Sequence, residues 1–513
     1  MSFYVTTPIY YVNAAPHLGH AYTTIAADVM ARHHRQRGEE VFFLTGTDEH
    51  GEPVADAAHA KGISPQELAD ENAVHFKELL PLIGASNDFF IRTTDAEHMA
   101  KVQEVLARVR DNGFVHEGTY EGWYCPRCAD FKVEAEIDEG NRCPIHHIEL
   151  TREQEDSYFF ALSRFQSRLE DLYEQRPDFV APTTRRNEAL SFIRSGLHDV
   201  PLTRHRLRWG VPVPWDAEHV FYVWFDALLN YYTALSYAPS PASSPASSGE
   251  RSLAETFWPA SYHVIAKDIL RFHAVYWPAL LMAAEIELPE RIFVHGYLLM
   301  GGEKMSKSLG NVLDPFAAIE RFGADALRFY LLREVPFGQD GSVSSSAFEQ
   351  RYDTELANEL GNLASRVTSM VGRYLDGRVA AGEIDAALAD DFADLPARVG
   401  AHVDRAELTA ALELIWQRVR RLNRYVEERA PWQLAKDDTR AGELELVLRT
   451  LVEGLRSVAV LLWAFIPASA ERVLSALSAP ERSLADAELR AGASRDVAAM
   501  EPLFPKDPAP RGA

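Results

Sequence analysis

Apolar and polar positions follow two rhythms along the first hundred residues. Residues 3–7 (FYVTT) are a short β-branched and aromatic run, whereas 19–37 carry the three-to-four-residue spacing of a helix that stops at Gly38. The next segment, "EEVFFLTGTDEHG", stays apolar up to Thr47 and Asp48, as in a strand covered on both faces. Helical spacing returns over 52–61, 65–82 and 95–111, so strands and helices alternate. That order predicts an α/β fold around an open parallel sheet. The rhythm breaks between Tyr120 and Leu150 and resumes over 200–300. There, "HVFYVWFDALLNYYTAL" and "SYHVIAKDILRFHAVYWPALLMAA" each read as a strand running into a helix, and "RIFVHGYLLM" as a third strand. Beyond residue 350 strand signals fade, and helical patterns over 352–376, 405–428, 441–469 and 485–499, with a weaker one at 379–402, predict an all-α bundle.

These patterns divide the chain into a first sheet half (1–115), a connective insertion (116–200), a second sheet half (201–300), a junction (301–350), a helical domain (351–500) and a flexible tail (501–513). Inside the second half, "APSPASSPASSGERS" is too rich in Pro and Ser to form core and reads as a surface loop. With 513 residues, 47% of them hydrophobic, the chain has material for two to four domains. Acidic residues outnumber Lys and Arg by 75 to 52, and the net charge of -23 argues against a protein that coats nucleic acid with its whole surface. A local basic face stays possible, and Arg418, Arg421 and Arg424 at three-residue steps offer one. Neither a basic leader with an apolar core nor an apolar window of about eighteen residues is present, so the expectation is a cytoplasmic protein with no membrane partner.

Three segments carry candidate chemistry. The cysteines, Cys125, Cys128 and Cys143, fall in "YCPRC" and "RCPIHH", giving C-x2-C, fourteen residues, then C-x2-H, all within about 120–150. Three thiolates and one imidazole make a closed tetrahedral set for a structural Zn²⁺, with His146 preferred by spacing and His147 an open alternative. In "PHLGH", His17 and His20 lie three apart where a strand gives way to a helix, with Gly19 between them, a place where backbone N–H groups and imidazoles can meet a phosphate. In "GGEKMSKSLGN", Lys304 and Lys307 sit in a glycine-flanked loop able to close over an anion. Either segment alone is as readily a solvated turn.

Taken as a pair, "PHLGH" and "KMSKS" resemble the signatures of class I aminoacyl-tRNA synthetases in order and separation. The resemblance implies a Rossmann-type sheet that binds ATP with Mg²⁺, forms an aminoacyl adenylate and passes the acyl group to tRNA. It assigns His17, His20, Lys304 and Lys307 to the phosphates, and Gly19, Lys267, Asp268, His295, Gly296, Met305, Ser306 and Ser308 to the nucleotide side.

An amino acid pocket needs a carboxylate for the ammonium and a cavity for the side chain. Asp48 suits the first task, although it can equally cap the helix that follows, or do both. Trp224 and Tyr231, seven apart on one helix face, with Phe272, His273, Tyr276 and Trp277, are cavity wall or core. "TTPIYYVNAAPHLGH", "TGTDEHG", "FYVWFDA", "AKDILRFHAVYWPA" and "NLASR" resemble the methionyl-tRNA synthetases along essentially the whole chain. That family implies L-methionine and tRNA(Met), including the initiator tRNA, as partners. It implies a methionine and adenylate pocket of Ile9, Tyr11, Asp48, Arg204, Trp224, Ala227, Tyr231, Ile269, His273 and Trp277. It also implies anticodon contacts from Asn358, Asn362, Arg366, Pro431 and Trp432. The resemblance implies the group with one zinc knuckle, and because the sequence ends soon after the bundle the expectation is no C-terminal appendage and a monomer. Two other readings are a general nucleotidyltransferase and a noncatalytic RNA-binding relative. The first gives no reason for the helical domain, and the second predicts damaged signatures that this chain does not have.

Overall fold

The computed structural model describes residues 2–125, 130–132, 137–144, 147–205, 207–241, 251–300, 303–304, 314–489 and 491–506. Its centre is a six-stranded sheet of β1 (Ser2–Tyr11), β2 (Glu40–Asp48), β3 (Phe89–Arg92), β4 (Val180–Ala181), β5 (Tyr262–Ala266) and β6 (Arg291–His295). The strands lie in the order β3-β2-β1-β5-β6-β4, and every pairing is parallel. Parallel neighbours need crossovers, and those on this sheet bury both faces, which is why β2 reads as an unbroken apolar run. Chain direction across the sheet reverses between β1 and β5, so the carboxyl ends of those two strands open a crevice. Pro8 has no N–H to give to the ladder, and the β1–β2 register shifts between Thr6 and Ile9, just before the strand reaches that crevice.

From β1 the chain enters α1 (Leu18–Gln36), which is buried along almost its whole length. Its lower half meets the helical domain: Arg37 holds the Asp404 carboxylate at 2.7 and 2.9 Å, and Gln36 donates to the Val460 and Arg482 carbonyls. Arg328, fully buried, bonds Asp28 of α1 and the carbonyls of Ile83, Ala464 and Phe465. One continuous apolar core runs from Phe3 and Tyr22 through Phe329 to Leu451 and Val460. The insertion is carried on two long antiparallel strands, Val115–Cys125 and Thr151–Phe160, paired from Val115↔Phe160 to Tyr124↔Thr151. Among the described residues no helix is long and apolar enough to cross a membrane.

Two helical expectations fail, each for a reason outside local propensity. The pattern at 441–469 is broken: a helix ends at Leu462, the chain turns, and Pro467 starts the next at its first position. Arg328 takes the carbonyls freed in that turn. Residues 485–499 form only a short 3-10 turn and a two-residue strand pairing Arg378–Val379. There the Asp486 and Glu488 carbonyls, groups a helix would use, accept from the buried Arg456, and the Arg495 side chain pairs with Glu453 at 2.7 Å. The tail is anchored further than its composition suggests, since Leu503 and Phe504 are buried and the Tyr352 hydroxyl donates to the Pro505 carbonyl. The Ser/Pro segment at 242–250 lies outside the described residues.

Candidate functional site

A cleft of about 450 Å³ opens at the reversal point. It is lined from the carboxyl end of each strand there: Ile9, Tyr10 and Tyr11 from β1, Asp48 from β2, Ala266, Asp268 and Ile269 at and after β5, and His295 and Gly296 at and after β6. His17, Gly19 and His20 close one side at the start of α1. The helix α2 (Val223–Thr233) supplies Trp224, Ala227 and Tyr231 on the other, and His273 completes that wall.

The start of α1 is built by its histidines. His17 Nδ1 accepts the Gly19 N–H at 3.1 Å, and His20 Nδ1 accepts the His17 N–H at 3.1 Å, a reciprocal capping box in which the two rings stack at 3.7 Å. With both Nδ1 atoms accepting, each neutral ring carries its proton on Nε2. The side chains therefore bring N–H donors to the positive end of the helix dipole. Gly19 lies so close to the His17 ring that a Cβ there would meet it at 2.9 Å. Behind them, Thr23 bonds His295 Nε2 at 2.7 Å, and His295 Nδ1 faces the Gly296 carbonyl, which fixes that imidazole; burial keeps it readily neutral.

Asp48 is 2% exposed, and its Oδ1 has no hydrogen-bond partner among the described residues. Burial raises its carboxyl well above the ordinary range, the neighbouring Asp226 and Glu49 raise it further, and the His50 backbone N–H only partly opposes them. Its neighbours are satisfied. Glu49 is gripped by Arg92 at 2.7 and 2.8 Å, and Asp226 by His50 and His98 at 2.7 Å each. A buried carboxyl oxygen without a partner, on a residue that lines a cleft, suits a cationic ligand. The helix after it starts at Gly51, so Asp48 does not cap it.

Across the cleft the wall is aromatic. Trp224 stacks on Phe272 at 3.7 Å and meets Tyr11 edge-on at 6.2 Å. His273 lies on a π-helical stretch, Phe272–Tyr276; its Nδ1–H donates to the Ile269 carbonyl at 3.1 Å, so Nε2 accepts the Tyr231 O–H at 2.7 Å. Burial pushes His273 down to about 4, and the pair is neutral at pH 7. With its proton donated to His273, Tyr231 offers the cleft a ring face rather than a donor.

Several expected residues sit elsewhere. Trp277 is fully buried behind Tyr231, its indole N–H on His263 Nε2 at 3.2 Å, while Thr6 bonds the other nitrogen of His263 across the β1–β5 seam. Arg204 is buried with Glu153 and Glu155 beneath the Tyr124 ring and does not reach the cleft. Lys267 pairs with Asp340 at 2.5 Å and lies over Tyr297. The backbone of Lys304 pairs with Leu299, whereas Met305, Ser306, Lys307 and Ser308 lie outside the described residues. Sequence reading missed Tyr10, whose hydroxyl bonds Thr24 at 2.9 Å, and the buried residues His50, His98, Asp226 and His263. The "TDEHG" and "WFDA" segments flanked two of these without indicating their pairing.

The other sites are partly visible. Cys125 and Cys143 are both buried in one small cluster with Leu150, and Cys128 and His146 lie outside the described residues. Among the described residues, no three metal-ligating side chains converge. In the helical domain, Arg366 lies over the Trp432 ring at 5.7 Å beside a cleft of about 340 Å³, and Asn358 and Asn362 are exposed two turns and one turn before Arg366. Pro431 starts the short helix Pro431–Leu434. Two arginines of the basic stripe are engaged within the protein, Arg421 by Asp391 at 2.6 Å and Arg418 by packing over Phe392, whereas Arg424 is exposed.

Residues 3–154 and 139–368 match the family described as tRNA synthetases class I (M), and 377–500 match the anticodon binding domain of methionyl tRNA ligase. Relatives include the methionine–tRNA ligase of Mesorhizobium japonicum, 46% identical over 93% of this chain and 92% of that one. That of Brucella melitensis is 44% identical over 98% of both. The methionyl-tRNA synthetase of Mycobacterium tuberculosis, in a crystal structure bound by methionyl-adenylate, superposes with a TM-score of 0.93 at 43% identity, covering 98% of this chain and 100% of that one. Its apo form gives 0.86 at 40% identity, covering 99% of each.

Proposed function

The chain belongs to the methionyl-tRNA synthetase family of class I tRNA synthetases, and from that premise we infer how its cleft carries out the ATP-dependent ligation of L-methionine to tRNA(Met). In the first step the methionine carboxylate attacks the α-phosphorus of ATP, forming methionyl-adenylate and releasing pyrophosphate. In the second, a ribose hydroxyl of the terminal adenosine of tRNA attacks the acyl carbon, and AMP leaves. Neither step needs a side-chain nucleophile; positioning and charge stabilisation are sufficient.

The observation that carries the reading is Asp48, a cleft-lining residue whose Oδ1 has no hydrogen-bond partner among the described residues, set opposite an aromatic wall. An α-ammonium supplies the missing charge. A thioether suits the rings of Tyr11, Trp224 and Tyr231, because sulfur–aromatic contacts contribute about 0.3–1.5 kcal/mol each. Ala227, Ile9 and Ile269 complete the apolar lining, with His273 holding Tyr231 in place. His17 and His20 donate to the phosphate oxygens as charge develops, and the family resemblance assigns Lys304 and Lys307 the same task. Gly19, Asp268, His295 and Gly296 border the adenosine, and the resemblance assigns Lys267, Met305, Ser306 and Ser308 to the nucleotide as well. Trp277 and Arg204 act from behind this wall. Mg²⁺ accompanies ATP and neutralises phosphate charge. The test is amino-acid-dependent ATP–pyrophosphate exchange with each of the twenty amino acids: only methionine is expected to support it, and selective exchange with another amino acid rejects the assignment.

Zinc is assigned to Cys125, Cys128, Cys143 and His146. Supporting this, two of the thiols are buried together, and His147 is exposed with its ring toward Asp138 at 3.8 Å. Bound zinc would hold the turns of the knuckle in register. Purified protein is expected to contain about one zinc per chain, and well under one contradicts the site. The anticodon contacts are assigned to Asn358, Asn362, Arg366, Pro431 and Trp432, supported by the Arg366–Trp432 stack and its open cleft. Trp432→Ala should weaken tRNA(Met) charging by about tenfold or more through lost base stacking of roughly 1–3 kcal/mol, leaving pyrophosphate exchange unchanged. Use of initiator tRNA, a monomeric state, a cytoplasmic location and membership of the single-knuckle group complete the proposal.

A further inference from the structure

The two histidines at the start of α1 follow an exposed turn at residues 13–15, and burial alone fixes neither of them: His17 is exposed and His20 half-buried. A donor that stabilises charge as it develops must already be in place, so an imidazole free to change rotamer loses most of its effect. The capping box supplies part of the restraint, because His20 Nδ1 accepts the His17 N–H. The rest comes from two aromatic side chains. The Tyr10 ring, at the end of β1, lies 4.6 Å from the His20 ring, and the Phe76 ring meets it edge-on at 5.2 Å. Tyr10 and Phe76 also stack on each other at 5.8 Å, so the three rings form a closed triangle of contacts.

Tyr10 holds the backbone as well as the ring. Its hydroxyl donates to the His20 carbonyl at 3.3 Å and lies 2.9 Å from the Thr24 hydroxyl, which ties the end of β1 to the first turns of α1. Phe76 belongs to the helix Pro65–Leu82, which contributes no residue to the lining of the cleft. One turn earlier on the same face of that helix, Asn72 donates to the Val12 carbonyl, at the start of the turn that leads to His17. Tyr10, Val12 and Phe76 are all buried, and with Val54 and Leu68 they form a small apolar cluster separate from the two large cores. The phosphate end of the cleft therefore has a packed support of its own.

Resting on the methionine-ligase reading, we propose that Tyr10 and Phe76 are positioning residues for the chemical step. They hold the His20 imidazole, and through the capping box His17, where the Nε2–H groups meet the phosphate. Phe76 does so from a helix that substrate never touches. Loosening this support spreads the imidazole over several orientations, and the loss falls on the reaction at phosphorus. Methionine is gripped by other parts of the cleft, Asp48 and the aromatic wall, so its affinity is spared.

The test is a pair of double-mutant cycles, reading single-turnover adenylate formation and methionine affinity for Phe76→Leu, Tyr10→Phe, His20→Gln and the combination of His20→Gln with each of the others. Glutamine is a usual residue at this position of a capping box, so it keeps an acceptor for the His17 N–H while removing the imidazole. Phe76→Leu should slow the chemical step on the order of tenfold, and Tyr10→Phe, which keeps the ring and loses one hydroxyl, about threefold. Methionine affinity should stay within about twofold in both. In the His20→Gln background each effect should shrink to within about twofold, because no imidazole is left to place. A merely structural role predicts the same slowing with and without the imidazole, or an equal loss of methionine affinity. Either result overturns the proposal, as does an unchanged rate in Phe76→Leu. If Phe76→Leu does not fold, the Tyr10→Phe cycle, which leaves the packing in place, decides by the same comparison. If the unaltered protein forms no adenylate with methionine, the activity reading fails instead.

Discussion

Asp48→Asn is expected to lower methionine activation by about 10²–10⁴-fold while making the unliganded protein more stable at pH 7. Removing one partner of a buried ion pair costs about 3–5 kcal/mol, which corresponds to that loss. The stability gain follows from the unpartnered oxygen and from the sign of the shift. A carboxyl whose value is raised on folding, as burial, Asp226 and Glu49 raise Asp48, withdraws stability as pH climbs through the ordinary carboxylate range toward the folded value. Below that range both states are protonated and the penalty vanishes. Melting curves should therefore show the asparagine variant above the parent at pH 7, with the gap closing as pH falls through about 4 and gone about one unit lower. A variant that loses activity and stability together would place Asp48 in the fold rather than in the site.

His17→Asn should slow adenylate formation by about 10²–10³-fold, the usual effect of removing one preorganised donor at a developing charge. Asparagine is a strong N-cap, so it can still accept the Gly19 N–H that His17 accepts now, and α1 should start where it does. Single-turnover kinetics should show the loss in the chemical step, with methionine affinity retained. An equal loss of methionine affinity would mean that the ring organises the cleft rather than the phosphates. The two predictions separate the ends of one substrate complex: Asp48 governs binding of the amino acid, and His17 the reaction at phosphorus.

Much of this site was legible because its residues terminate strands. β1, β2, β5 and β6 end at Tyr11, Asp48, Ala266 and His295, and an apolar run that stops at a polar residue is visible in one dimension. The same reasoning gave Trp224 and Tyr231 a common helix face, and both line the cleft. It misjudged Arg418 and Arg421, since a basic periodicity does not reveal the Asp391 and Phe392 that meet it from another helix. It also extended a helix across 485–499, where the Asp486 and Glu488 carbonyls accept from Arg456 instead of from a next turn.

What the sequence determined by itself was therefore local or repetitive: the alternation that makes the sheet, the strand ends, the paired motifs and the spacing of the cysteines. Only the tertiary structure decided which charges are satisfied. Asp226 meets residues 176 and 128 positions away, and Tyr231 meets His273 at 42. Whether a buried carboxylate is paired, shared or left open depends on such distant encounters in a low-dielectric interior. Asp48 stands out because the folding chain supplied partners to its acidic neighbours and left its Oδ1 without one among the described residues, on a residue that lines the cleft.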